Sequence, residues 1–131
     1  MKVSSKVLSF RAPRGLGTDL DWLSSAMLMS RSEVIRRAIR EALDYVKKYG
    51  RLPESSYIPY GDGSGKLWLF SLNIEKGLYI ELERTAKRLE LPMSEVVRRA
   101  VYWYIERKGR KYRPYRGWRI RVYFGNLRSL W

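Results

Sequence analysis

The sequence predicts a mainly α chain with a short antiparallel two-stranded ribbon, built from a strand–helix–helix unit that occurs twice. Three observations carry this expectation. The heptapeptide SEVIRRA at 32–38 returns as SEVVRRA at 94–100, an offset of 62 residues. Two short segments alternate apolar and polar residues, as half-buried strands do, and the stretches after them repeat apolar residues at helical spacing. The same offset pairs Ser9 with Ser71, Gly15 with Gly77, Leu16 with Leu78 and Leu20 with Leu82. It also aligns Leu8 with Phe70, Phe10 with Leu72, Met27 with Leu89, Ile39 with Val101 and Leu43 with Ile105. One offset thus holds without a gap over roughly forty residues, which marks an internal duplication rather than a chance heptapeptide.

The first strand is expected over Val7–Arg11 and the second over Leu69–Asn73, with Leu8, Phe10, Phe70 and Leu72 on one face. A first helix follows each strand. In the second copy Leu78, Leu82, Ala86 and Leu89 form its stripe. In the first copy it is shorter: Pro13–Gly17 delays it, Thr18 is its N-cap, and Asp19 and Asp21 occupy its first turn.

The second helix of each copy has the clearest signals. Ser30 and Glu33 form a capping box, and Val34, Ile35, Ala38, Ile39, Ala42, Leu43 and Val46 form an apolar stripe. Lys47 and Lys48 occupy the last turn and Gly50 follows. In the second copy Pro92 opens the helix, and Val96, Val97, Ala100, Val101, Tyr104 and Ile105 form the stripe. Arg107, Lys108 and Gly109 close it. The domain plan is therefore a first motif at 1–50, a Pro/Gly/Ser-rich linker at 51–66, a second motif at 67–109 and a basic aromatic tail at 110–131.

One strand and two short helices cannot bury their own apolar surface, and a lone strand leaves its backbone groups unpaired. Two copies on one chain meet both needs: the strands pair and four helices pack beneath them. The alternating strands and the second-helix starts, SRSEVIRRAI and PMSEVVRRAV, resemble the ribbon-helix-helix family of DNA-binding regulators. The resemblance covers roughly residues 5–50 and 67–108. That family usually works as homodimers, whereas this chain carries two unlike copies and a basic tail. In this it is similar to tandem members from archaeal viruses and from conjugation accessory proteins.

The resemblance implies a ribbon inserted in the major groove of double-stranded DNA, where base edges show distinguishable donor and acceptor patterns. Alternation leaves Val7, Ser9, Arg11, Leu69, Ser71 and Asn73 outward, the family's base-reading positions. Arg bonds guanine bidentately, Asn bonds adenine, and Val or Leu meets a thymine methyl. Arg11 as an ordinary surface arginine and Asn73 as a cap for the next helix are the alternatives. The matching polar positions in both copies favour base contact over them. Second-helix N-termini, with free N–H groups and the positive dipole end, are expected to grip phosphates through Ser30, Arg31 and Ser32 and through Met93 and Ser94. Simple capping by Ser30 is compatible with that role. Glu33–Arg37 and Glu95–Arg99 are i,i+4 pairs, so Arg36, Arg37, Arg98 and Arg99 read as a solvated helix face. Because the two strands differ, an intramolecular ribbon is expected to read a non-palindromic site.

Charge has a different location. The 131 residues carry 27 Lys and Arg against 13 Asp and Glu, a net charge of +14. Residues 107–131 hold nine basic and no acidic residues, while 67–106 hold six of each. An excess of this kind favours a polyanionic partner, and here it speaks to affinity more than to specificity. In the tail Arg110, Lys111, Arg113, Arg116, Arg119 and Arg121 alternate with aromatic residues. Three roles compete for it: docking on the body with solvated arginines, added phosphate contacts, and an arm for self-association along DNA.

Other functions fit less well. There is no Cys and no His, which removes disulfides, thiolate chemistry and the commonest general base. No metal-ligand cluster or phosphate-binding glycine loop is present, so neither an enzyme nor a cofactor is expected. No apolar run reaches the roughly 18–20 residues of a membrane span, and the N-terminus lacks a signal-peptide core, so an intracellular, cytoplasmic protein is expected. Gln is absent and Asn occurs twice, a depletion found in hyperthermophile proteins, although four Met and ten Gly point the other way. Besides a transcriptional regulator, an architectural DNA protein and an antitoxin-like module with a protein-binding tail remain as alternatives. RNA binding through the tail lacks a recognisable module.

Overall fold

In the computed structural model, which describes residues 4–61 and 63–112, the chain is mainly helical with one two-stranded antiparallel sheet. The order is β1 (Ser5–Ala12), α1 (Gly15–Met27), α2 (Arg31–Tyr49), β2 (Trp68–Glu75), α3 (Lys76–Leu89) and α4 (Met93–Tyr112). The strands pair with Ser9 opposite Ser71, and the register runs from Ser5–Glu75 to Ala12–Trp68. Their inner face carries Leu8, Phe10, Ala12, Phe70, Leu72 and Ile74, all buried. A one-residue slip would turn this whole set outward, so burial enforces the register.

Beneath the ribbon the helices supply the rest of one core. The buried residues of α2 are Val34, Ile35, Ala38, Ile39, Ala42, Leu43 and Val46, the stripe expected from spacing. Those of α4 are the expected six plus Gly109. Ser30 caps α2 by accepting the Glu33 N–H at 3.0 Å, and Gly50 ends it in the left-handed region. Before α4, the Pro92 carbonyl accepts the N–H groups of Glu95 and Val96. Among the described residues no helix is long and apolar enough to cross a membrane.

Two boundaries and one side-chain environment depart from the sequence expectation. Helix α1 starts at Gly15, within the Pro13–Gly17 stretch, not after Thr18. Pro13 begins the turn, its carbonyl accepting the Leu16 N–H at 3.1 Å. Asp19 is not a solvated first-turn acid: it is buried and accepts a hydrogen bond from the Tyr57 hydroxyl at 2.6 Å. Helix α4 runs through Gly109 to Tyr112, because Tyr112 still packs on the core and a single glycine is a modest helix penalty. Arg110 and Lys111 are therefore last-turn helix residues.

The described residues of the linker lack helix and strand, but residues 51–60 are not loose. Leu52, Pro53, Tyr57 and Pro59 are buried. The Ser56 N–H donates to Glu106 at 2.7 Å, and the Gly15 N–H donates to the Tyr60 carbonyl at 2.6 Å. Residues 51–60 thus form a strap pinned to α1 and α4. The Tyr57 hydroxyl is pushed well above its ordinary value of 10.0, first by burial and then by the Asp19 carboxylate. Folding therefore favours the protonated phenol, so this stabilisation is complete below the unfolded-state value of about 10 and declines as pH rises past it. Urea midpoints at about pH 8 and 11 should show the fall, and Tyr57→Phe should narrow it.

The two helix–helix turns are alike. Leu28 and Glu90 end α1 and α3 with φ of 56° and 58°, the only non-glycine residues with positive φ among those described. Leu28 is also 92 % exposed. A left-handed non-glycine residue costs about 1–2 kcal/mol, part of which glycine returns through its own unfolded-state entropy. Leu28→Gly is expected to raise stability by about 0.5–1 kcal/mol, read from the urea unfolding midpoint.

Candidate nucleic-acid interface

The outer face of the ribbon is set by the inner one. With six apolar residues turned to the core, alternation turns Val7, Ser9, Arg11, Leu69, Ser71 and Asn73 to solvent, and all six are exposed. They form three cross-strand pairs: Val7 with Asn73, Ser9 with Ser71, and Arg11 with Leu69. The central hydroxyls lie 2.9 Å apart. From Val7 to Arg11 the face spans roughly 14 Å at the rise of an antiparallel strand, about four base steps. Two strands side by side fit the roughly 12 Å width of a major groove. Val7 and Leu69 are large apolar groups at 66 % and 57 % exposure, with no core to cover them.

Asn73 does not cap the following helix. It stands in β2, and the residue before α3 is Glu75, which makes no side-chain cap. The cap alternative for Asn73 thus has no counterpart in the geometry.

Two arginines brace this face from below. Arg36 donates through Nε to the Asn73 carbonyl at 3.0 Å, and Arg98 donates through Nε to the Arg11 carbonyl at 2.8 Å. Each is also held by an acid one helical turn earlier, Arg36 by Glu33 at 3.3 Å and Arg98 by Glu95. A two-stranded ribbon has two edges and so leaves backbone groups without ladder partners. The guanidiniums satisfy two of these, at the backbone of the two side chains best suited to hydrogen-bond a base. Sequence spacing placed Arg36 and Arg98 on a solvated helix face because their partners lie 37 and 87 residues away. The expected pairs Glu33–Arg37 and Glu95–Arg99 do form, at 3.4 and 2.8 Å.

The N-terminus of α2 borders the ribbon. Helix geometry leaves the first N–H groups, including those of Arg31 and Ser32 in α2 and of Met93 and Ser94 in α4, without intrahelical acceptors. Arg31 is not an unpaired cation. It donates to Asp21 through Nη2 at 2.6 Å and through Nε at 3.1 Å, with both side chains substantially exposed. An exposed pair of this kind is weak and open to exchange with another anion.

A groove of about 450 Å³ joins the N-terminus of α2 to the ribbon. Arg31 and Ser32 line one side, Leu69 and Ser71 another, and Arg14 and Trp68 its end. The Arg14 guanidinium lies 5.4 Å from the Trp68 ring centroid, a cation–π arrangement. The tertiary structure thus brings the expected base-facing and phosphate-facing residues of one end into a single surface. Arg14 and Trp68 join that surface with no local sequence signal, because they meet only through strand pairing.

Arg113, Arg116, Arg119 and Arg121 lie outside the described residues. Among the described residues no group of three or more His, Cys, Asp or Glu could hold a metal ion. No family model, no curated protein and no solved structure matches the chain.

Proposed function

We propose that the chain is a sequence-specific double-stranded DNA-binding regulator of the ribbon-helix-helix kind, with both halves of the DNA-reading unit on one polypeptide. The observation that carries this reading is the exposed row of Val7–Asn73, Ser9–Ser71 and Arg11–Leu69 on a register-locked ribbon. The strand–helix–helix order, followed by the same order again, supports an intramolecular pseudo-dimer. The first-turn N–H groups of α2 and α4 hold phosphates on either side, and the net charge of +14 adds attraction that salt screens.

The face has polarity. Asn73 and Val7 sit at one end, suited to adenine and a thymine methyl; Arg11 and Leu69 sit at the other, suited to guanine and a thymine methyl. The target is therefore a non-palindromic site with an Asn-read end and an Arg-read end. Selection from random duplexes should return such a site, and strictly palindromic minimal sites would count against an intramolecular ribbon. Arg11→Ala and Asn73→Ala should each relax discrimination at one base position by about 1–3 kcal/mol, at opposite ends of the site. Uniform weakening over all sequences would instead make them phosphate or structural residues. Footprinting on genomic DNA separates regulation, with protection near a promoter, from an architectural role, with protection that spreads along the duplex.

A further inference from the structure

A second concave surface lies on the strap, apart from the residues assigned to DNA. Residues 51–55 form one wall, Leu89 and Leu91 at the α3–α4 turn form another, and Arg99 and Tyr102 of α4 close it. Its volume is about 600 Å³, within the range of small-molecule sites. The lining divides by chemistry. Leu52, Leu89, Leu91 and the Tyr102 ring offer apolar surface, and Arg51 and Arg99 offer two guanidiniums against one carboxylate, Glu54. Arg51 has no ion-pair partner among the described residues. Burial, the largest influence on it, pushes the Tyr102 hydroxyl up to about 12.

We infer that this pocket binds a small organic anion, a carboxylate, sulfonate or phosphate monoester on an apolar body, and that its occupation is felt at Arg11. The anionic head lies between Arg51 and Arg99, and the apolar body lies on the leucines and Tyr102. The connection to the ribbon is short. Arg99 donates to one oxygen of Glu95 at 2.8 Å, and the other oxygen of Glu95 holds Arg98, which donates to the Arg11 carbonyl at 2.8 Å. An anion that draws Arg99 toward the pocket leaves Glu95 to Arg98 alone and firms the brace under Arg11. Arg98 acts here as a positioning residue. The consequence for DNA rests on the proposed DNA-binding function; the pocket itself does not.

The two parts are tested apart. Calorimetric titration of the full chain with naphthalene-2-sulfonate, without DNA, tests the pocket. Saturable one-to-one binding is expected, with no binding of the neutral 2-naphthalenemethanol. Arg51→Gln should weaken it about tenfold or more, the loss of one charge-assisted contact. Ser55→Asp, at an exposed lining position, should do the same by adding negative charge. Arg84→Gln, exposed on α3 outside the lining, should leave it unchanged. Equal binding by wild type and Arg51→Gln, or binding that does not saturate, overturns the site. Fluorescence anisotropy with the selected duplex tests the connection: the sulfonate should tighten DNA binding about threefold or more in wild type, and Glu95→Gln should abolish that gain. Sulfonate binding with unchanged DNA affinity overturns the connection. Failure of the duplex to bind at all overturns the proposed function, while calorimetry still decides the pocket.

Discussion

Phe10→Ala is expected to destabilise the protein by about 3–5 kcal/mol, the usual cost of deleting a buried phenyl ring. Phe10 is 2 % exposed and stacks on Phe70 with centroids 5.4 Å apart and planes 20° apart. These two rings sit opposite each other at the middle of the inner ribbon face. Removing one takes away both apolar burial and a ring contact, and it opens a cavity under the strands. Net stabilities of domains are only about 5–15 kcal/mol, so the variant should be close to unfolding at moderate temperature. Thermal and urea unfolding would measure this, with a fall in Tm of about 15 °C or more. Arg11→Ala is the instructive comparison. Its side chain is exposed, so its unfolding midpoint should stay near wild type while, on the proposed function, base discrimination changes. Phe10→Ala should lose stability and, on the proposed function, sequence reading together with it.

Gly15→Ala and Gly77→Ala are expected to have opposite signs, although the two glycines are 62 positions apart and stand at helix starts, Gly15 as the first residue of α1 and Gly77 as the second of α3. A Cβ on Gly15 would lie 2.4 Å from the Tyr60 carbonyl oxygen and 2.6 Å from the Tyr60 nitrogen. Both are backbone atoms of the strap. They cannot retreat easily, because Tyr57 is bonded to Asp19 and Ser56 to Glu106 on the same segment. The substitution also forces apart the Gly15 N–H and the Tyr60 carbonyl it bonds. Overpacking and a lost hydrogen bond together should cost about 2–4 kcal/mol. A Cβ on Gly77 meets nothing within 4 Å. There alanine should stabilise by up to about 1 kcal/mol, through helix propensity and lower unfolded-state entropy. Urea unfolding of the two single variants decides the matter. Similar losses in both would mean that the strap does not press on Gly15.

The glycine pair shows where local reading succeeds and where it stops. The apolar stripe of α2 was legible residue by residue, because a helix repeats every 3.6 residues and burial follows that period. The two strands were legible because alternation allows only one face inward, and the structure extends each by three residues beyond the alternating core of the pattern. The start of α1 is not legible in this way. Its PRGLG stretch contains Pro and Gly, which mark turns, yet the helix starts inside it at Gly15, and Gly15 serves a close approach of the strap. Local pattern makes Asp19 a first-turn acid for the same reason, whereas its buried bond to Tyr57 spans 38 residues. The strap itself looked like an ordinary linker because composition reports flexibility of the free chain and says nothing of what the chain packs on.

The candidate interface divides in the same way. The outward row of six residues followed from period two alone. The brace from Arg36 and Arg98 did not, since Glu33–Arg37 and Glu95–Arg99 already accounted for the neighbouring charges at helical spacing. The groove at Arg14, Arg31 and Trp68 also required the tertiary structure, because β2 brings Trp68 beside residues far earlier in the chain.

What the sequence determined by itself is therefore the set of elements and their buried faces: both are consequences of short-range periodicity and of the free energy of removing apolar groups from water. It also determined which side chains the ribbon presents, because alternation leaves no choice once the inner face is buried. Only the tertiary structure decided the pairing of Val7 with Asn73 and of Arg11 with Leu69, the arginine braces, the clamped strap and the pocket beside it. Those features depend on which distant groups the folded chain brings within hydrogen-bonding distance, and no local pattern of residues encodes that distance.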